Sequence, residues 1–225
     1  MTGRWEDAGV VRGFSAAAPN QVLLAFVRAA LAGRPGLRVL DLGCGAARNA
    51  VPMAAEGAAV VGTDIAWPML AAARGRAASE GVADRVTLVR APMDRLPVAD
   101  ASVDLVVAHG IWNLARSAAE LRRAIAEAGR VARPGAGLFL FTFSRATLAP
   151  DDRSVAGEPF VFTQFAGEPQ TFLTEAEILE ELARGGFEKD PPGRLTEYNR
   201  PPAGALARGG PVIYEGTFRR VGAGS

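Results

Sequence analysis

The chain has 225 residues, 49% of them hydrophobic and 22% charged, with a net charge of +1, one cysteine and one histidine. A length of this order suits a single domain burying about 70% of its unfolded surface in one core, and the Cys and His counts exclude an internal disulfide, dithiol cycling and a Cys/His zinc site. The balanced charge gives no concentrated basic face for nucleic acid, and no apolar run approaches the ~18 to 20 residues of a membrane span. Residues 1–9 lack the basic and apolar regions of an export signal. A cytoplasmic protein with neither nucleic acid nor membrane as partner is therefore expected.

In chain order, the first 20 residues carry Trp5 and Phe14 and form a candidate cap. Asn20 is placed to cap a helix running to about Leu31, closed by Gly33 and Pro35. Short apolar runs then alternate with amphipathic stretches. The strand-like runs are Leu37 to Leu42, Ala59 to Thr63, Arg85 to Arg90, Val103 to Ala108 and Leu138 to Phe143. Helical stretches fall near Ala46 to Glu56, Trp67 to Glu80 and Ser117 to Ala132, the last closed by Pro134 and Gly135. Strands and helices in alternation predict an α/β fold, a doubly wound, mostly parallel sheet with helices on both faces.

Beyond Phe143 the pattern changes to a Pro-, Gly- and Asp-containing segment with Phe160, Phe162, Phe165 and Phe172, in which Pro159 to Phe165 suggests an extra strand. Thr174 and Glu177 form a capping box for the next helix. The last elements read as two strands, about Arg194 to Tyr198 and Val212 to Arg219, paired antiparallel at the sheet edge.

The chemistry concentrates where the first strand runs into Gly43-Cys44-Gly45-Ala46-Ala47-Arg48-Asn49. Glycines at a strand-to-helix turn allow a sharp bend and a close ligand approach. Asp41, just before the loop, opposes a pyrophosphate: two like charges ~4 Å apart repel by up to about 4 kcal/mol at an effective dielectric of about 20. The same carboxylate favours a cationic ligand. Asp64 ends the second strand, where an acid is placed to accept both hydroxyls of a ribose. A ligand with a ribose and positive charge but no bulky phosphate is implied, and S-adenosylmethionine has these features.

The segments VLDLGCGAARNA, GTDIAWPMLAAA, LPVADASVDLVVAHG and RPGAGLFLFTF resemble the successive motifs of the class I S-adenosylmethionine-dependent methyltransferases, over residues 35–145. The resemblance implies a Rossmann-like seven-stranded sheet in order 3-2-1-4-5-7-6 with an antiparallel last strand. It implies one domain, with an N-terminal cap and helix at 1–34, a cofactor-binding core at 35–145, a lid or insert at 146–173 and a C-terminal helix and strand pair at 174–225. Carried over by position, Gly43, Cys44 and Gly45 line the methionine part of the cofactor, with Asn49 beside them, and Asp41 helps hold its ammonium group. Asp64 takes the ribose and Ile65 packs on the adenine. Pro92 stands where family members often place an Asp for the adenine amine, so either Asp94 reaches across or backbone alone holds it, while Met93 covers the ring. Ala47 replaces the third loop glycine.

Methyl transfer from a sulfonium is an in-line displacement, so alignment carries much of the catalysis, and a base matters only for acceptors that must lose a proton. His109 ends the fourth strand; its carbonyl is a candidate for the cofactor's ammonium and its imidazole for a general base. Trp112 and Asn113 are candidates for the pocket wall. The expected enzyme is a methyltransferase acting on a small-molecule acceptor, as a monomer or homodimer and without a metal. The alternatives are a nicotinamide-dependent Rossmann oxidoreductase, disfavoured by Asp41 and by Arg48 at the third glycine of its fingerprint, and a non-catalytic S-adenosylmethionine-binding module.

Overall fold

A computed structural model describes residues 3–34, 36–190, 195–200 and 210–222. Two helices, α1 (Gly3–Glu6) and α2 (Ala8–Ala16), precede α3 (Gln21–Gly33). The Asp7 carboxylate accepts the N–H groups of Gly9 and Val10 to start α2, and Asn20 Oδ1 accepts that of Leu23 to start α3. The core follows as β1 (Arg38–Leu42), α4 (Ala50–Ala55), β2 (Ala59–Asp64), α5 (Trp67–Ser79), β3 (Val86–Arg90), β4 (Val103–His109), α6 (Ala118–Val131) and β5 (Ala132–Phe143). A short ribbon of β6 (Val161–Phe162) and β7 (Gln170–Thr171) lies before α7 (Glu175–Arg184), and β8 (Phe187–Lys189), β9 (Thr196–Tyr198) and β10 (Ile213–Arg220) complete the chain. The Thr174–Glu177 capping box forms as expected.

The main sheet runs β3-β2-β1-β4-β5-β10, with β8 and β9 both paired to the far side of β10. Strands β1 to β5 are parallel and β10 is antiparallel to its neighbours. Because β8 pairs with one half of β10 and β9 with the other, they share one edge lane. The sheet thus has the seven-lane order expected, with its sixth lane split. Helices α3, α4 and α5 pack on one face and α6 and α7 on the other. Strand β4 is buried along nearly its whole length, which explains its continuous apolar run. Helices α6 and α7 meet at a backbone contact: a Cβ on Gly129 would stand 2.3 Å from the Gly185 carbonyl oxygen. Among the described residues no single helix is long and apolar enough to cross a membrane.

Two boundaries differ from expectation for physical reasons. Helix α4 begins at Ala50 rather than Ala46, because Ala47 takes a left-handed backbone conformation, φ 59°, incompatible with an α-helix. Pro134 and Gly135 do not close α6, which ends at Val131; they lie in a bulge at the start of β5, where the pairing jumps from Val103–Ala132 to Leu105–Gly137. Pro35 and Arg194, expected at the end of α3 and the start of the penultimate strand, lie outside the described residues.

Asp104 holds this bulge. Its carboxylate accepts from Arg34 Nη2 at 2.8 Å, Arg133 Nη1 at 2.6 Å and the Arg38 N–H at 3.0 Å, joining the end of α3 to the starts of β1 and β5. Burial pushes its pKa up, but the Arg38 N–H and the two guanidinium groups outweigh burial and hold it below the usual carboxylate value. A depressed pKa gives stability that is present above the unfolded-state value, near 4, and is lost as pH falls through the folded value. Asp104→Asn is expected to destabilise the protein by about 1–3 kcal/mol at pH 7. In urea unfolding, the gap between wild type and variant should narrow as pH drops below about 4.

Candidate functional site

Strand β1 delivers Asp41 to the carboxyl edge of the sheet and then turns through a loop in which Gly43, Gly45 and Ala47 have φ of 62°, 54° and 59°. Left-handed residues alternating with ordinary ones fold the backbone into a tight turn, in which the Cys44, Gly45 and Ala47 N–H groups donate to the Thr63 carbonyl, Asp64 Oδ2 and the Cys44 carbonyl. At Gly43 a side chain is excluded twice over, by its φ and by Ile111, whose Cδ1 would lie 2.5 Å from the added Cβ. Ala47 tolerates the conformation at a cost of about 1–2 kcal/mol, so the departure from glycine there is one of backbone strain as well as helix packing. Cys44, between the glycines, is buried, with its Sγ filling the space a side chain on Gly62 would need.

The acids flank this loop. Asp64 closes β2 and accepts the Gly45 N–H at 3.0 Å on Oδ2 and the Ala66 N–H at 2.8 Å on Oδ1, locking loop and strand end together. Burial raises its pKa, and the N–H groups of Ala66, Gly45 and Ile65 moderate the rise. Each carboxylate oxygen has a second lone pair for an incoming hydroxyl. Asp41 is more extreme. It is 2% exposed, and burial lifts its pKa to about 7, with the Arg48 charge the largest opposing influence. Beside Asp64, Ile65 and Trp67 expose apolar surface, 39% and 57%, at the entrance to α5.

His109 ends β4 on the same face and is clamped. Its Nδ1 lies 3.1 Å from Arg48 Nη2 and its Nε2 3.1 Å from Asn20 Nδ2, while Phe141 stacks against the ring with centroids 4.2 Å apart. Arg48 is a donor only, and Asn20 has committed Oδ1 to the cap of α3 and also donates from Nδ2 to Glu215 Oε2 at 2.7 Å. A protonated imidazole would turn N–H groups toward donors on both sides. Burial and the Arg48 charge accordingly lower the His109 pKa to about 4. The imidazole expected to face an acceptor is instead wedged, neutral, between two donors, the cap of α3 and the loop arginine, and can accept from only one of them on its single ring lone pair.

The other candidates separate. Asn49 sits under the loop and accepts the Asn20 N–H on Oδ1 at 3.0 Å. Asp94 does not reach across; its Oδ2 accepts from Arg123 on α6 at 3.1 Å. Met93 is half-buried against the core. Trp112 and Asn113 are buried core residues, and Thr171 on β7 donates to the Trp112 carbonyl at 2.8 Å. Asn20 and Glu215 belong to the site and carried little signal: Asn20 reads only as a helix cap, and Glu215 shows only as an acid inside an apolar strand. Trp5, Val10, Val11 and Phe14 pack on Ala46, Ala66 and Met69, which lays α1 and α2 along the loop. The site thus offers a buried carboxylate at the end of β1, a second acid at the end of β2, an apolar flank and a close-approach loop, and these fit S-adenosylmethionine.

His109 is the only histidine, so its titration can be read without assignment. Its ring proton shifts in NMR are expected to stay constant from pH 8 to pH 5 and to move only near pH 4. The lowered pKa means that stability is lost as pH falls from the unfolded histidine value, about 6.5, toward the folded one. A midpoint near 6.5 in the folded protein would show a solvated ring.

Comparison with known proteins agrees with this geometry. Residues 39–135 match the family described as Methyltransferase domain. A demethylmenaquinone methyltransferase of Mycobacterium tuberculosis is 31% identical over 176 residues, covering 71% of this chain and 70% of that relative. Among solved structures, an S-adenosylmethionine-dependent methyltransferase from Methanosarcina mazei superposes with TM-score 0.71 at 22% identity, over 91% of this chain and 99% of the other. The 1,6-didemethyltoxoflavin-N1-methyltransferase of Burkholderia thailandensis, solved with bound 1,6-didemethyltoxoflavin and S-adenosylhomocysteine, gives 0.66 at 22% identity, over 98% and 83%. The loop, the two acids, the strand order and the relatives converge on one assignment: the chain belongs to the class I S-adenosylmethionine-dependent methyltransferases.

Proposed function

We propose that this methyltransferase acts on a small organic acceptor, with the cofactor held over the carboxyl ends of β1, β2 and β4. The observation that carries the cofactor's placement is Asp41, a fully buried carboxylate whose pKa is raised to about 7 beside a loop built for close approach. Such a group is stabilised by an incoming cation. In this reading Gly43, Cys44 and Gly45 line the methionine portion with Asn49 fixing the loop from below, Asp41 attracts the ammonium, and Asp64 receives the ribose. Ile65 and Met93 enclose the adenine, and backbone groups near Pro92 receive its amine, since Asp94 is turned to Arg123.

When bound, S-adenosylmethionine supplies a methyl group made electrophilic by its sulfonium. The protein's own work is to orient and to exclude water. Asn49 accepts the Asn20 N–H and so ties the glycine loop to the start of α3, with His109 packed between Arg48 and Asn20. The helices α1 and α2 and the segment at 146–173 act as covers, the latter presenting Phe165, 43% exposed, against Phe143 and Phe172. Support for a small acceptor comes from the names of the relatives, which include methyltransferases of demethylmenaquinone and of didemethyltoxoflavin, and from a net charge of only +1.

S-adenosylhomocysteine titration tests this reading. Micromolar binding is expected, with Asp64→Ala weakening it roughly a hundred-fold or more through the loss of charge-assisted bonds. Affinity should rise between about pH 6 and pH 8, because the ammonium favours ionised Asp41 and binding below its pKa must release a proton. Asp41→Asn should flatten that dependence. A wild-type affinity independent of pH would remove Asp41 from the ammonium's environment.

A further inference from the structure

Asp41 and Arg48 carry opposite charges at the two ends of the glycine loop. Each eases the burial of the other: the Arg48 charge opposes the rise in the Asp41 pKa, and the Asp41 charge opposes the fall that burial imposes on Arg48. Among the described residues, however, no hydrogen bond or ion pair joins the two side chains. Asp41 is fixed at the end of β1, between β2 and β4, and is 2% exposed. Arg48 is half-buried, and its one side-chain hydrogen-bond contact among the described residues is with His109, Nη2 to Nδ1 at 3.1 Å.

That contact is a poor one. A neutral imidazole has one lone pair and one N–H, and His109 meets a second donor, Asn20 Nδ2, at its Nε2. Asn20 cannot turn its amide over, because Oδ1 accepts the Leu23 N–H at 3.0 Å and Nδ2 donates to Glu215 Oε2 at 2.7 Å. Reversal would set donor against donor and acceptor against acceptor. The Asn20 backbone N–H is fixed as well, on Asn49 Oδ1 at 3.0 Å. With Nε2 accepting from Asn20, the ring hydrogen sits on Nδ1 and faces the Arg48 guanidinium. Of the two donors, Arg48 is the one that can leave: its side chain is long, and among the described residues nothing else holds it.

We propose that Arg48 turns from His109 to receive the carboxylate of the cofactor's methionine end while Asp41 takes its ammonium, so that the loop binds an amino-acid zwitterion by both charges. The inference rests on the methyltransferase reading above and assigns the carboxylate, which that reading leaves without a partner. An α-amino acid carries its two charges on adjacent carbons, and so bridges two side chains that do not reach each other. A guanidinium and a carboxylate pair through two parallel N–H···O bonds. The move also removes the conflict at the imidazole, since the Nδ1 hydrogen no longer faces a donor and Nε2 keeps the bond from Asn20. A nucleoside that lacks the carboxylate offers Arg48 nothing to move for.

The experiment is isothermal titration calorimetry on the full chain with S-adenosylhomocysteine and its decarboxylated analogue, which keeps the adenosine, the thioether and the amine. S-adenosylhomocysteine should bind roughly thirty-fold more tightly, the effect of hydrogen bonds between charged groups. Arg48→Gln, which keeps a polar side chain without the charge, should bring the ratio close to one by weakening S-adenosylhomocysteine, with the analogue bound no more weakly than before. The wild type gives a second readout. His109 is the only histidine, so its ring NMR signals report directly on the departure of Arg48: they should shift with S-adenosylhomocysteine and stay near their free positions with the analogue. Should Arg48→Gln lose its fold, these signals and the wild-type ratio decide the matter. Equal binding of the two ligands by the wild type, a ratio that survives Arg48→Gln, or ring signals that respond alike to both ligands would overturn the inference. If neither ligand binds, the cofactor site itself is misplaced and the inference falls with it.

Discussion

The chain places a carboxylate where water cannot reach it, at the end of the central strand β1, and much of the site follows from how that charge is accommodated. Asp41 is held by strands on both sides, β2 and β4, and has no freedom to turn out to solvent. Burial of an ion is expensive unless it is paired or protonated. Its surroundings meet that demand only partly: Arg48 supplies positive charge from the loop, and the carboxyl remains poised near neutrality. Arg48 and Asn20 close on the two nitrogens of His109, and Asn20 donates to Glu215. One polar chain therefore crosses β1, β4 and β10 under the start of α3.

Strand β10 joins this chain to the opposite face. Successive side chains on a strand point to opposite sides, and adjacent residues Glu215 and Tyr214 divide accordingly, one toward Asn20 and the other lining a cavity with Ser144. Tyr198, on β9, reaches Glu215 with its hydroxyl at 3.3 Å, while its neighbour Glu197 serves Ser144. The split edge lane thus places paired polar residues on both faces of the sheet with a one-residue alternation.

The strand order came from the family resemblance, whereas the alternation of apolar runs with amphipathic stretches was enough to read a mostly parallel α/β sheet, because the central strands β1 and β4 are buried along nearly their whole length. The loop and its acids were legible for the same reason: glycines and carboxylates at strand ends are rarely neutral choices. What escaped was long-range. Asn20 and Glu215 are 195 positions apart and meet only through the sheet. Neither the role of His109 nor the turning away of Asp94 is readable from a residue type, since both depend on which donor reaches them first. The bulge at Pro134 was misread as a helix stop because Pro and Gly mark either equally well.

Cys44 adds a consequence of another kind. A thiolate is among the better nucleophiles a protein can offer, and this one lies in the loop assigned to a methyl donor. Burial, followed by the nearby charges of Asp41 and Asp64, drives its pKa well above the ordinary thiol value, and the sulfur is packed into the space left by Gly62. The thiol stays protonated and hemmed in. The burial that closes the loop thereby also keeps its one thiol from ionising.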